Sequence, residues 1–255
     1  MSRFFVEPDQ IMGDSVTISG EELVHLARVL RLGPGSPITV CDGSGQEYRA
    51  VLQEVGPEMA MAQITAIVNS LVEPRVKITL VQGIPKADKM DLIIQKGTEL
   101  GICEFLPVFT ERTVVELSGA KAQRRVARWQ RIAKEAAKQS RRTIVPTVYH
   151  PMSWRECLAM YSEKGQGRLG LFPWETFSGQ GLREVLSVNP DLRQVGSSLE
   201  IWLFIGPEGG WSEREAGEAG AMGIIAVSLG ARILRTETAG IVAAALVLYE
   251  SGDLG

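Results

Sequence analysis

The chain has 255 residues, 45% of them hydrophobic and 22% charged, which excludes a disordered or low-complexity protein and bounds the fold to one or two domains. Lys and Arg total 27 against 30 Asp and Glu, a net charge of −3, so a uniformly basic, histone-like protein is excluded while a local basic surface is not. The cysteines Cys41, Cys103 and Cys157 are odd in number and far apart, and the only histidines are His25 and His150, so neither a disulfide framework nor a Cys/His metal site is expected. The opening residues lack the apolar core of a signal peptide, and no apolar run reaches the ~18 residues of a membrane span. An intracellular, cytoplasmic, reduced protein with no membrane partner is the expectation.

The first part of the chain predicts short strands. Residues 36–41 are apolar and β-branched, Asp42-Gly43-Ser44-Gly45 is a tight turn signal, and 47–55 resumes an extended pattern, together a hairpin. After the turn at Gly56-Pro57, Met59, Met61, Gln63 and Thr65 alternate with Ala60, Ala62, Ile64 and Ala66. One helix interrupts: Ser19 is placed to cap it, Glu22 to complete a capping box, and Leu23, Leu26, Val29 and Leu30 form its apolar stripe. Residues 1–72 are therefore expected to form a small β-barrel of about five strands with one helix. Past a boundary near 69–75 the period changes. Strands are predicted over 76–83, 102–109, 145–149, 168–172, 199–205 and 224–228. Helices are predicted over 88–100, 124–140, 153–161, 181–186, 213–222 and 239–250, with surface loops at 165–167 and 189–198. Strands apolar throughout, separated by helices, predict an α/β domain over 73–255 whose parallel sheet is covered on both faces.

Charge is concentrated in one place. Between Lys121 and Arg142 nine basic residues face a single acid, Glu135, a local net charge of +8 that leaves −11 for the rest. Such a focused patch on an acidic body fits a nucleic-acid or polyphosphate partner, through Arg124, Arg125, Arg128, Arg141 and Arg142 among others, as well as a solvated helix face. His25, Arg28 and Arg31 recur at spacings of three and, with Arg3, form a second phosphate-contact candidate, against the alternative of a solvated helix face. Trp129 within the basic helix reads as core rather than as a base-stacking side chain.

Three strand ends share a layout. Ile205 runs into Gly206-Pro207-Glu208-Gly209-Gly210, where backbone without side chains admits a ligand closely. This string is neither a P-loop nor a dinucleotide fingerprint. The strand over 224–228 ends in Leu229-Gly230 and a loop with Arg232 and Arg235, and Leu171-Phe172-Pro173 closes a third. In open α/β sheets ligands collect at the carboxyl ends of strands, so the three ends are candidates to line one pocket. The helix that follows the second loop is apolar on nearly every face, which predicts either a central helix or a subunit interface.

These residues resemble the SPOUT class of S-adenosylmethionine-dependent RNA methyltransferases. The matching stretches are Arg3-Phe4-Phe5, His25-Leu26-Ala27-Arg28-Val29-Leu30-Arg31, the string from Lys89-Met90-Asp91 to Glu99-Leu100-Gly101, and Gln139-Ser140-Arg141-Arg142 with Pro146. Gly206-Pro207-Glu208-Gly209-Gly210 and Leu234-Arg235-Thr236-Glu237-Thr238-Ala239 complete them, in the family's order over almost the whole chain. The resemblance implies an N-terminal PUA-like, RNA-binding barrel and a C-terminal α/β domain with a deep trefoil knot. It also implies a homodimer packed through the knot helices, and methylation of N3 of a uridine in the decoding region of 16S rRNA within the small ribosomal subunit.

The implied cofactor is S-adenosylmethionine, whose sulfonium needs no metal. Its adenine is expected between Leu171, Phe172 and Pro173 on one side and Ile205, Gly206, Pro207, Glu208, Gly209 and Gly210 below. Leu229, Gly230, Ile233, Leu234, Thr236, Thr238 and Ala239 are expected around the ring. Arg235 is the first candidate for a cation that stabilises charge on the uridine, and Arg142 the second, reaching from a neighbouring subunit. Glu237 or Glu208 is placed either to accept the N3 proton or to orient an arginine or cap a helix. Two alternatives stay open: a knotted methyltransferase acting on a ribose 2′-hydroxyl or another base, and a non-catalytic RNA-binding assembly factor.

Overall fold

The computed structural model describes residues 2–163, 165, 167–177, 179–192 and 199–255; Gln166 and residues 193–198 of the two expected loops lie outside the described residues. The chain divides into two units. The first comprises Met1–Glu73 and Ala137–Val145, the second Pro74–Ala136 and Pro146–Gly255.

In the first unit, strands β1 (Ser2–Phe5), β2 (Ile11–Met12), β3 (Ser15–Ser19), β4 (Pro37–Cys41), β5 (Glu47–Val55) and β6 (Met59–Val68) form one sheet in the order β1-β4-β5-β6-β3-β2. The expected hairpin is β4–β5, antiparallel with Cys41 opposite Glu47. Asp42 closes its turn by accepting from Ser44 N at 2.9 Å and Gln46 N at 3.2 Å. The alternation in β6 decides its faces: Ala60 and Ala62 enter a core with Phe4, Ile18, Ile38 and Val40, while Met59 and Met61 face outward.

Helix α1 (Gly20–Val24) continues into one π-helical turn at His25–Val29. The expected capping box does not form. Ser19 Oγ accepts from Gln10 Nε2 at 3.0 Å, and buried Glu22 pairs with Lys138 at 2.6 Å. The long-range partners displace the local cap. The apolar stripe is also shorter than its spacing predicts, since the π turn shifts the register: Leu23 and Leu26 are buried, Val29 and Leu30 exposed.

The second unit holds β7 (Lys77–Gly83), α2 (Lys89–Leu100), β8 (Glu104–Phe109), α3 (Gly119–Gln139), β9 (Thr147–Val148), β10 (Met152–Ser153) and α4 (Trp154–Glu163). It continues with β11 (Arg168–Pro173), α5 (Leu182–Ser187), β12 (Glu200–Ile205), α6 (Glu213–Ala221), β13 (Ile225–Val227) and α7 (Thr236–Ser251). The last residues of α3 and the segment through Val145 go with the first unit. The sheet runs β10-β8-β7-β12-β11-β13, with β9 also on β8, and every pair is parallel. Both faces are covered, which is why the interior positions of the central strands are mostly apolar on both faces. Ile201, Leu203 and Ile205 of β12 pack with α2, α5 and α7, while Trp202 and Phe204 pack with Trp154, Tyr161 and Trp211 on the other face. Trp129 is fully enclosed in the first of these cores, as its sequence reading expects.

Helix α7 buries one face only. Gly240, Ala243, Ala244, Val247 and Leu248 are enclosed, and Leu246 and Tyr249 on the opposite side are 42% and 65% exposed. No helix among the described residues is long and apolar enough to cross a membrane.

Candidate functional site

Because the strands are parallel, β11, β12 and β13 end on the same side of the sheet. Their following loops enclose a cleft of about 370 Å³. The chain leaves β12 through Gly206 and Pro207 and turns back at Gly210, whose φ of +67° favours glycine. It then enters α6 through a capping box in which Ser212 Oγ accepts from Glu215 N at 3.2 Å and Ser212 N donates to Glu215 Oε2 at 3.0 Å. Two further ties hold this turn. Arg112 Nη1 donates to Gly209 O at 2.7 Å, and the buried Gln82 Nε2 donates to Thr236 Oγ1 at 2.8 Å, which in turn donates to Gly206 O at 2.6 Å. The second tie couples the end of β12 to the start of α7. A close approach completes the corner: a Cβ on Gly83 would lie 2.5 Å from Pro207 Cδ, so only glycine lets β7 end against that loop.

Most of the residues expected around a nucleoside come together here. Pro173, Ile205, Gly206, Pro207, Glu208 and Gly210 line the cleft, as do Leu229, Gly230, Ile233, Leu234, Arg235, Thr236 and Ala239. Four do not. Leu171 and Phe172 point into the cores on the two faces of the sheet, because the last residues of a doubly covered strand are still interior. Gly209 turns its carbonyl to Arg112, and Thr238 lies on the exposed side of α7. Trp174, Glu175 and Arg232 of the expected strand ends also line the cleft, while Lys89 and Trp211 line it without having been expected to. For Trp211 the signal was its place directly after Gly210; for Lys89 no sequence signal names its partners.

The charged groups form one network. Lys89 Nζ lies 3.0 Å from Glu208 Oε1 and 3.2 Å from Glu237 Oε2. The Glu208 carboxylate also accepts from Lys86 N at 3.1 and 3.3 Å. Hydrogen bonding to Glu208 outweighs burial and, with the ion pair to Glu237, holds the Lys89 ammonium above its ordinary pKa. Burial pushes the Glu208 carboxyl up, but the bonds from Lys89 and from backbone N–H groups outweigh it and leave it below the usual range. Glu237 is likewise lowered, with burial opposed by its own backbone, by Lys89 and by the charge of Arg235. Both glutamates are thus held as carboxylates. Arg235 itself caps α7 with its side chain exposed at the cleft. Trp211 is buried and stacks on Phe172 at 4.7 Å, and its Nε1 has no hydrogen-bond partner among the described residues.

The expected RNA-contact residues separate into two groups. Arg142 is enclosed, 3% exposed, with its guanidinium on Glu73 at 2.7 Å, so it is not a free cation for the reaction or for phosphate. Arg3 donates to Glu47 at 2.9 Å and to Arg142 O at 3.1 Å, and serves as an internal tie of the first unit. On the second unit Arg125 pairs with Asp88 at 3.2 Å and Arg128 pairs with Asp91. His25, Arg28, Arg31, Arg124 and Arg141 are exposed; His25 also sets its ring edge-on to Phe4 at 6.2 Å.

Comparison with known proteins bears on both units. A family model described as an RNA methyltransferase domain matches residues 72–248, and one described as an RNA methyltransferase PUA domain matches residues 18–60. The chain is 36% identical over 254 residues to Ribosomal RNA small subunit methyltransferase E of Bacillus subtilis, covering 98% of this chain and 97% of the relative. It is 37% identical over 247 residues to the protein of the same name from Synechocystis, covering 96% and 76%. Among solved structures it is similar to Ribosomal RNA small subunit methyltransferase E from Neisseria gonorrhoeae bound to S-adenosyl methionine. That match has 34% identity and a TM-score of 0.83, and covers 98% of this chain and 97% of the other. A methyltransferase from Legionella pneumophila in complex with the bound cofactor SAM is 28% identical, with a TM-score of 0.80 and coverage of 97% and 96%.

Proposed function

The chain belongs to the RNA methyltransferase family, and from that premise we propose that it methylates N3 of a uridine in the decoding region of 16S rRNA, within the small ribosomal subunit, using S-adenosylmethionine. The observation that carries this reading is the cleft at the ends of β11, β12 and β13. Its walls combine apolar side chains with exposed loop backbone, as a flat nucleoside with polar edges requires. The unpartnered Nε1 of buried Trp211 and the glycine turn at Gly210 further fit a polar group brought close to the backbone. The residues that would hold the cofactor are Pro173, Ile205, Gly206, Pro207, Glu208 and Gly210, with Leu229, Gly230, Ile233, Leu234, Thr236 and Ala239. Bound there, S-adenosylmethionine supplies an activated methyl group on a sulfonium.

The chain's own part is orientation and charge. Gln82 and Thr236 hold the end of β12 against α7, so the loops that position the reactants are braced from inside the sheet. Neutral uridine N3 carries a proton and is a poor nucleophile. Loss of that proton spreads negative charge over the flanking carbonyl oxygens, and Arg235, exposed at the cleft, is the cation we assign to stabilise it. We assign Glu237 and Glu208 to the ion pair with Lys89 rather than to accepting the proton, since protonating either would break that pair. The exposed side chains we assign to RNA phosphate are, taken unit by unit, His25, Arg28, Arg31 and Arg141 of the first and Arg124 of the second.

The homodimer belongs to the same reading. The exposed apolar side of α7, with Leu246 and Tyr249, is the face a second copy would cover, and the loops at the cleft are the crossings where the family's knot is expected. A ribosomal substrate sets the enzyme in the cytoplasm.

Nucleoside analysis of small-subunit rRNA from a strain lacking the protein tests the proposal. N3-methyluridine should disappear and return on complementation with the wild-type chain, but not with Arg235→Ala. Loss of a ribose-methylated nucleoside instead, or no change in either, would overturn it.

A further inference from the structure

Lys89 occupies the first position of α2, where the partial positive charge of the helix N-terminus disfavours a cation. Its presence there does not serve its own helix. Its ammonium reaches two carboxylates on two different loops, Glu208 at 3.0 Å and Glu237 at 3.2 Å. Glu208 sits in the turn after β12, and Glu237 in the first turn of α7, two residues beyond Arg235. The two glutamates differ in what Lys89 leaves behind when it is removed. Glu208 keeps the Lys86 amide at 3.1 and 3.3 Å. Glu237 keeps its own backbone, and the next cation whose charge acts on it is Arg235.

We propose that Lys89 is a positioning residue for methyl transfer: by holding Glu237 it keeps that carboxylate from capturing Arg235, so that the guanidinium stays open to the cleft. This inference rests on Arg235 being the cation that meets the target base. A guanidinium is a planar fork well suited to a carboxylate, so an unheld Glu237 competes for that of Arg235. Losing Lys89 makes the cleft one charge more negative, which does not oppose binding of a cationic sulfonium. The defect should therefore fall on turnover and not on donor affinity.

The test measures kcat on small subunits isolated from a strain lacking the modification, and S-adenosylmethionine affinity by calorimetry. It compares the wild type with Lys89→Arg, Lys89→Met, Lys89→Met/Glu237→Gln and Arg235→Ala. Lys89→Met should lower kcat about tenfold or more while donor affinity changes less than about threefold, and Lys89→Arg should retain most turnover. Adding Glu237→Gln to Lys89→Met should recover most of the lost rate, because it removes the competing anion. A simple brace between loops predicts the reverse, since deleting a second partner loosens it further. A double variant as slow as Lys89→Met, or a Lys89→Met as fast as wild type, overturns the proposal while leaving Arg235 in place. Full activity in Arg235→Ala overturns the assignment beneath it and this inference together. If Lys89→Met does not fold, Lys89→Gln carries the same comparison.

Discussion

Arg142 donates to Glu73 Oε2 through both Nε and Nη2, at 3.0 and 2.7 Å, while Glu73 Oε1 accepts from Thr143 N and Ile144 N at 2.7 and 3.0 Å. One carboxylate thus fastens the segment after α3 to the end of the first unit's own chain. Glu73 accepts from Arg142, Thr143 and Ile144 at once, so Glu73→Ala should destabilise the protein by about 3 kcal/mol. Urea unfolding followed by tryptophan fluorescence measures this. A change below about 1 kcal/mol would mean that this carboxylate does not fasten the segment after α3.

The contact between Gly83 and Pro207 makes a second prediction. Gly83→Ala places a Cβ 2.5 Å from Pro207 Cδ and 2.7 Å from its N, and ring and backbone must shift. Overpacking of this kind costs about 1–3 kcal/mol. Because the displaced loop lines the cleft, S-adenosylmethionine affinity should fall with stability. Calorimetry showing a wild-type dissociation constant would place the cofactor away from this corner.

The salt dependence of RNA binding separates the arginines of α3. Arg125 and Arg128 are paired with Asp88 and Asp91, whereas Arg124 is exposed, its Nε donates to Ala120 O within its own helix, and it forms no ion pair among the described residues. Arg124→Gln should reduce the slope of log K against log salt by about 0.7–0.9, the contribution of one phosphate contact. Arg128→Gln should change it less, since Asp91 already neutralises that cation. Equal slopes for the two variants would show that the surface pairs open on RNA binding.

Acid should loosen the cleft only below the usual glutamate range. Glu208 and Glu237 both titrate below the usual glutamate value in the folded chain. The unfolded state therefore binds more protons than the folded one as pH falls. The stability these groups contribute is present above their unfolded pKa of about 4.3 and is lost as pH drops through their lower folded values. Donor binding should hold from pH 7 down to about pH 4.3 and weaken only below it. Weakening already near pH 6 would point to a histidine or another group.

Period and glycine placement determined the architecture. Ile201, Trp202, Leu203, Phe204 and Ile205 are apolar without alternation, and that alone implies a strand buried on both faces, as β12 is. Gly206 to Gly210 after such a strand implies a backbone loop open to a ligand, because the requirement is local and conformational. Electrostatic roles were decided elsewhere. Arg142 and Arg128 are identical in sequence character, yet one is enclosed on Glu73 and the other paired at the surface. Ser19 and Glu22 have the spacing of a capping box, but Gln10 and Lys138 take them instead. Lys89, 119 residues before Glu208 and 148 before Glu237, meets both only after β7 and β12 pair. Hydrophobic burial and turn geometry depend on residues a few positions apart and are written along the chain. A charge takes its meaning from whichever opposite charge the fold brings within about 4 Å, and that distance exists only in three dimensions.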